Sequence, residues 1–130
     1  MHMSEQENRD AIERYFQAFE QRDLDAIADL MHDDYVEEFP QSGERIRGKQ
    51  DARSVLENFP GGLPKLLDHS YVVSGDLGAM KMTLEYGGNR VYACEVIDFQ
   101  DGMIKRVRAY FGEPFEAPEW RAQWVEGMEP

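Results

Sequence analysis

Apolar residues early in the chain recur at helical spacing. Ile12, Tyr15, Phe16 and Phe19 fall at i, i+3, i+4 and i+7, which predicts an amphipathic helix. Ser4, followed three residues later by Glu7, supplies a capping box for its start. Asp23 then caps a second, shorter helix, whose Leu24, Ile27, Ala28 and Met31 repeat the spacing. The stretch "YVEEFP" reads as a short extended piece ended by Pro40, and "QSGERIRG" as a loop rich in turn-forming residues. A third helix is expected from about Lys49, with Ala52, Val55, Leu56 and Phe59 on one face, broken at "PGGLP".

Beyond that break the period changes to two. Leu67, His69, Tyr71 and Val73 alternate on one side of a strand, and Met80, Met82, Leu84 and Tyr86 do so on the next, opposite Lys81, Thr83 and Glu85. Turns at Gly87-Gly88-Asn89 and Gln100-Asp101-Gly102 join two further strands, "RVYACEVIDF" and "MIKRVRAYF", into an antiparallel meander. Helices first and sheet second predict an α+β domain with the helices on one face of a curved sheet. The tail holds both tryptophans, Trp120 and Trp124, at i, i+4 on a short helix, and they are expected to pack on the domain or on a second subunit.

A length of 130 residues suits one domain with one core, taken as residues 3–130, and Met1-His2 ahead of Met3 reads as an expression-tag remnant. No apolar run approaches the ~20 residues needed to span a bilayer, and no signal-peptide core is visible. A soluble, cytoplasmic protein is the expectation. Twenty-six acidic against fourteen basic residues give a formal net charge of −12, which repels phosphate backbones and anionic lipid, so neither nucleic acid nor membrane is an expected partner. The single cysteine, Cys94, excludes an internal disulfide and reads as a buried, inert thiol.

Candidate chemistry is sparse. Glu95 lies on a strand face with Val91, Ala93, Ile97 and Phe99. If that face is inward, desolvation raises the carboxyl pKa until it can donate a proton near neutrality. If the other face is inward, Glu95 is solvated and Tyr92, Cys94 and Val96 are covered. His69 shares a face with apolar neighbours and is either an acid/base group or a rim residue. His32, before Asp33-Asp34, reads as an exposed helix-capping residue. No spaced His/Asp/Glu set for a metal, phosphate-binding glycine loop or serine or cysteine triad is evident, so no cofactor is expected. Phe19, Phe39, Phe59, Met80, Met82, Leu84, Val107, Ala109 and Phe111 form an apolar wall, suited equally to an ordinary core and to a pocket for an apolar small molecule.

The stretches "RYFQAFEQRDLDAIADLMHDDYVEEFP", "RGKQDAR" and "VIDFQDGMIKRVRAYFGE", in this order of elements, resemble the nuclear-transport-factor-2-like (NTF2-like) superfamily in its SnoaL-like and ketosteroid-isomerase-like branch. The resemblance runs from Arg9 to about Pro114. It implies a strongly bent, mostly antiparallel sheet wrapped around helices as a cone whose mouth opens on a deep apolar pocket. It further implies a homodimer through the outer sheet face, where Arg106 and Arg108 fall.

Similarity to the steroid isomerases matches their oxyanion-binding tyrosine to Tyr15 and their protonated carboxylic acid to Glu95. Their proton-shuttling aspartate would stand before the proline ending the first short strand, and here that residue is Phe39. An ordinary ketosteroid isomerase is therefore not expected, because proton transfer needs a titratable group within reach of the carbon acid. Period two places Glu37 on the same side as Phe39, as a displaced base, and Glu38 on the other; the alternative is a surface carboxylate. Two functions follow. One is a cofactor-independent isomerase or cyclase on an apolar, polyketide- or steroid-like carbonyl compound, with Tyr15 and Glu95 stabilising an enolate and Glu37 or His69 moving the proton. The other is a non-catalytic binding or assembly module.

Overall fold

A computed structural model describes residues 3–128, so the reading of Met1-His2 lies outside the described residues. Helix α1 (Met3–Gln21) is followed by α2 (Leu24–Asp29), β1 (Met31–Phe39), β2 (Glu44–Arg47), α3 (Lys49–Glu57) and four strands, β3 (Lys65–Ser74), β4 (Leu77–Tyr86), β5 (Asn89–Gln100) and β6 (Met103–Gly112). The strands form one curled, unclosed sheet in the order β2-β1-β6-β5-β4-β3, antiparallel except for the β1–β6 pair. The helices pack on its inner face, α1 against β3 and β6 and α3 against β1 and β2.

Local chemistry accounts for most boundaries. The Asp23 side chain accepts from the Ala26 amide at 3.0 Å and caps α2. Asp101 and Gly102 both have positive φ, 55° and 74°, the geometry of a two-residue turn whose twist suits the flanking strands. Arg22, also at positive φ, turns the chain between α1 and α2 and donates from Nη1 to the Leu63 carbonyl at 2.6 Å.

The structure corrects several expectations. Ser4 lies within α1 rather than capping it. Met31 opens β1 instead of closing the second helix, and the Ile104 amide donates to the Leu30 carbonyl where the parallel β1–β6 ladder begins. His32, therefore, is a half-buried strand residue whose Nδ1 accepts from the Asp34 amide. The "QSGERIRG" segment holds a strand, because Glu44–Arg47 finds a free edge on β1, with Glu37 opposite Ile46. A register shift at Leu67 in β3 swaps the faces, so that Leu66 pairs with Leu84 on the inner side and Leu67 is exposed. Cys94 is exposed on the outer face between Lys81 and Tyr110. The tail forms a 3-10 helix, Glu119–Trp124, and both tryptophans stand out from the domain, 74% and 72% exposed, so of the two packings expected for them the one on the domain is overturned. Among the described residues no helix is long and apolar enough to cross a membrane.

The core runs from α1 (Ile12, Phe16, Phe19) to the inner faces of β4, β5 and β6 (Leu84, Ile97, Phe99, Val107, Ala109). Asn8, fully buried, ties α1 to the β3–β4 turn through Nδ2, which donates to the Gly75 carbonyl at 2.9 Å. Ile12 is 0% exposed, so Ile12→Ala leaves a cavity and is expected to cost about 2–5 kcal/mol in denaturant unfolding. Val72→Ala, on the outer face, is expected to change stability by less than about 0.5 kcal/mol. Equal costs would mean that the two faces are not sorted as described.

Candidate functional site

The curled sheet encloses more space than its side chains fill. A cavity of about 360 Å³ opens between the helices and the inner faces of β1 and of β4–β6. Phe19, Phe39, Phe59, Met80, Met82, Leu84, Val107 and Phe111 all line it, and Ile27, Met31, Ile46, Leu56, Val91, Ile97 and Ile104 extend the apolar wall. Ala109 is buried but does not line it. Five side chains with polar atoms interrupt this surface: Tyr15, Tyr35, Glu37, Tyr86 and Glu95. None of the described lining residues is Lys, Arg, His or Asp.

Each polar group owes its place to a simple rule. Tyr15 follows the helical stripe of α1 and packs beside Phe16 and Phe19. Glu95 sits mid-strand in β5, between Met80 on β4 and Ala109 on β6, and is 8% exposed. The inward-face alternative holds, and Tyr92 and Cys94 are the exposed ones. Glu37 and Glu38 are adjacent on β1 and go opposite ways. Glu38, on the outer face, accepts from Arg106 at 2.8 Å and from Arg45 at 3.1 Å, with Arg108 at 3.6 Å; the Arg106 and Arg45 guanidiniums pull its carboxyl below its ordinary value. Glu37 enters the cavity, where the Tyr35 hydroxyl donates to its Oε1 at 2.5 Å.

Burial dominates the electrostatics. Loss of water around Glu95, reinforced by the nearby Glu37 charge, pushes its carboxyl up to about 8. Desolvation also raises Glu37, against a downward pull from the Tyr35 hydrogen bond. The Tyr15 phenol is pushed well above its ordinary value, first by burial and then by the charges of Glu95 and Glu37. Tyr15 therefore keeps its proton, and a neutral Glu95 has one to donate.

His69 is brought elsewhere. Its ring stacks on Phe16 at a centroid distance of 4.0 Å, in a surface depression edged by Glu13 and Glu20. Buried Phe16 occupies the inner side, and neither ring lines the cavity. Tyr35 was missed by the sequence reading, although the alternation that selects Glu37 in "YVEEF" also selects the residue two before it. Phe39, where a shuttling carboxylate was sought, stacks with Phe111 at 6.2 Å. Among the described residues no group of three His, Cys, Asp or Glu is arranged to hold a metal ion.

The family model of the SnoaL-like domain matches residues 12–107. An NTF-2 like protein of unknown function from Burkholderia xenovorans LB400 is 32% identical, with a TM-score of 0.82 over 98% of this chain and 100% of that one. A Kribbella flavida DSM 17836 protein, provisionally named a ketosteroid isomerase, is 26% identical over 96% of this chain and 92% of that one, with a TM-score of 0.87. An LEH-like epoxide hydrolase of M. tuberculosis is 28% identical over 82% and 84%, with a TM-score of 0.67. A search of curated proteins finds no significant match.

The raised Glu95 carboxyl predicts a pH signature. Below 4.5 the group is neutral in both folded and unfolded chains; between there and about 8 only the unfolded chain releases the proton, so the contribution to stability falls as pH rises and levels off above that window. Wild type is expected to lose stability across this range relative to Glu95→Gln, by up to about 1.4 kcal/mol per pH unit. Parallel pH profiles in denaturant melts would show that Glu95 ionises in the fold as it does in water.

Proposed function

The chain belongs to the SnoaL-like family of NTF2-like proteins, and from that premise we propose that it is a cofactor-independent acid/base enzyme of the isomerase or cyclase type, acting on an apolar polyketide- or steroid-like carbonyl compound. One observation carries the reading. Two hydrogen-bond donors, Tyr15 and neutral Glu95, share a mostly apolar cavity with a second carboxyl group, Glu37.

In this mechanism the substrate carbonyl oxygen accepts hydrogen bonds from Tyr15 and from Glu95. Both bonds strengthen as negative charge develops on that oxygen, in surroundings where water does not compete. The Glu37 carboxylate removes a proton from the carbon next to the carbonyl and leaves an enolate. Return of that proton to a different carbon gives an isomer; attack of the enolate on a second carbonyl carbon of the same molecule closes a ring, its C=O π bond opening to an alkoxide that takes the proton back from Glu37. Phe39 and Phe111 flank the apolar part of the substrate. Glu37 lies one pair of residues from Phe39 along β1, about 7 Å further on, so the reacting carbon is placed nearer Tyr35 than in a site with a carboxylate at position 39.

A planar phenol that mimics an enolate tests the reading. It is expected to bind as its anion, visible in its ultraviolet spectrum, and Glu95→Ala is expected to weaken binding about 10- to 100-fold through loss of one charge-assisted hydrogen bond. Absence of phenol binding to wild type would instead favour a non-catalytic module.

We also propose, as the family resemblance implies, that a second copy of the chain packs against the outer sheet face. Leu77, Tyr92 and Tyr110 are exposed there among Arg106, Arg108, Glu38 and Asp98, a mixture of apolar and oppositely charged groups suited to a self-complementary contact. Sedimentation is expected to give a dimer for wild type and a monomer for Tyr110→Glu; monomeric wild type at high concentration would dismiss the contact.

A further inference from the structure

Two carboxyl groups in one apolar cavity without a cation cannot both ionise readily, since a charge on either opposes a charge on the other. A division into acid and base therefore needs something that treats them unequally. The asymmetry lies in β1. Tyr35 and Glu37, two residues apart, point to the same face, and the Tyr35 hydroxyl donates to Glu37 Oε1 at 2.5 Å. Tyr35 is 3% exposed, so no bulk water competes for that donor.

We propose that Tyr35 is a positioning residue that makes Glu37, rather than Glu95, the first carboxyl group of the cavity to ionise, and so fixes which of the two is base and which is acid. The inference rests on the acid/base reading of this site and adds the element that assigns its roles.

The groups facing Glu37 leave little else to make this choice. Tyr15 from α1, Tyr86 from β4 and Glu95 from β5 are the other polar cavity residues, and none brings a positive charge. The side chains that α2, α3, β2 and β6 contribute to the lining, such as Ile27, Leu56, Ile46 and Val107, are apolar. At Glu95 burial and the neighbouring charge both act against ionisation; at Glu37 burial acts against it as well, and the tyrosine hydrogen bond opposes burial there. A phenol suits this task because its hydroxyl prefers the ring plane, so an enclosed ring aims the donor at one oxygen. With Tyr35 committed to Glu37, the Tyr15 hydroxyl is left for the ligand.

Carbon NMR of the side-chain carboxyl groups, titrated with pH on uniformly labelled protein, tests this without a substrate. In wild type the Glu37 signal, assigned by its loss in Glu37→Gln, is expected to titrate below that of Glu95. In Tyr35→Phe the Glu37 midpoint is expected to rise by about one to two pH units, the equivalent of one hydrogen bond to a charged group. An unmoved Glu37 midpoint in a variant that keeps its amide spectrum, or Glu95 ionising first in wild type, overturns the proposal. Should Tyr35→Phe fail to fold, the ring ζ-carbon of Tyr35 in wild type gives the answer: it is expected to shift with the Glu37 midpoint, and a resonance that ignores that titration overturns the proposal. Phenol binding separates the two levels. If the carboxyl order holds but no phenol binds, the catalytic reading fails and the order stands; if phenol binds and the order is reversed, only the present inference fails.

Discussion

A β-strand offers each side chain only two directions, and this constraint divides the chemistry of β1 between neighbouring residues. Glu38 meets three arginines on the outer surface, while Glu37 enters a cavity whose described lining residues include no cation. Their model-compound acidities are the same; their environments drive the carboxyl groups in opposite directions. Slipping the register by one residue would exchange them, turning Glu37 outward and Glu38 into the cavity.

Sheet curvature does the rest. A flat sheet under helices would let α1 settle onto it and fill the space with side chains. Here the strands curl around the helices and the inner surface encloses a volume that the side chains leave open. The same walls that exclude water from a ligand exclude it from Glu95, and this raises its carboxyl into the neutral range. Binding surface and acid are consequences of one geometry. Burying a carboxyl group in this way costs folding free energy, as stored strain at functional sites often does.

Much of this was legible in the sequence, and the exceptions have physical reasons. Periodicity placed α1, α3 and the four strands of the meander, and of the two faces left open for β5 the structure turns inward the one Glu95 shares with Val91, Ala93, Ile97 and Phe99. Eight apolar residues chosen as a wall line the cavity, although sequence alone could not separate a wall from a filled core. Met31 was misassigned because an apolar residue at an element junction satisfies either period. The Leu67 register shift escaped because a bulge conserves composition while swapping faces, and only the pairing partner reveals it. His69 kept its predicted face, yet α1 lays Phe16 over its inner side, a tertiary contact invisible to strand alternation. Edge strand β2 was hidden by its polarity, which is a common property of edges.

The placement of the tryptophans has a practical corollary. Trp120 and Trp124 are the only tryptophans in the chain, and both stand in water on the C-terminal 3-10 helix, far more exposed than any residue of the cavity wall. With both indoles exposed in the single chain, their emission there is expected to resemble that of hydrated indole and to change little as the domain melts. Intrinsic tryptophan fluorescence is a reporter of the tail in this molecule. The interior, with Tyr15, Tyr35 and Tyr86 around the cavity, is read instead by tyrosine signals and near-ultraviolet dichroism.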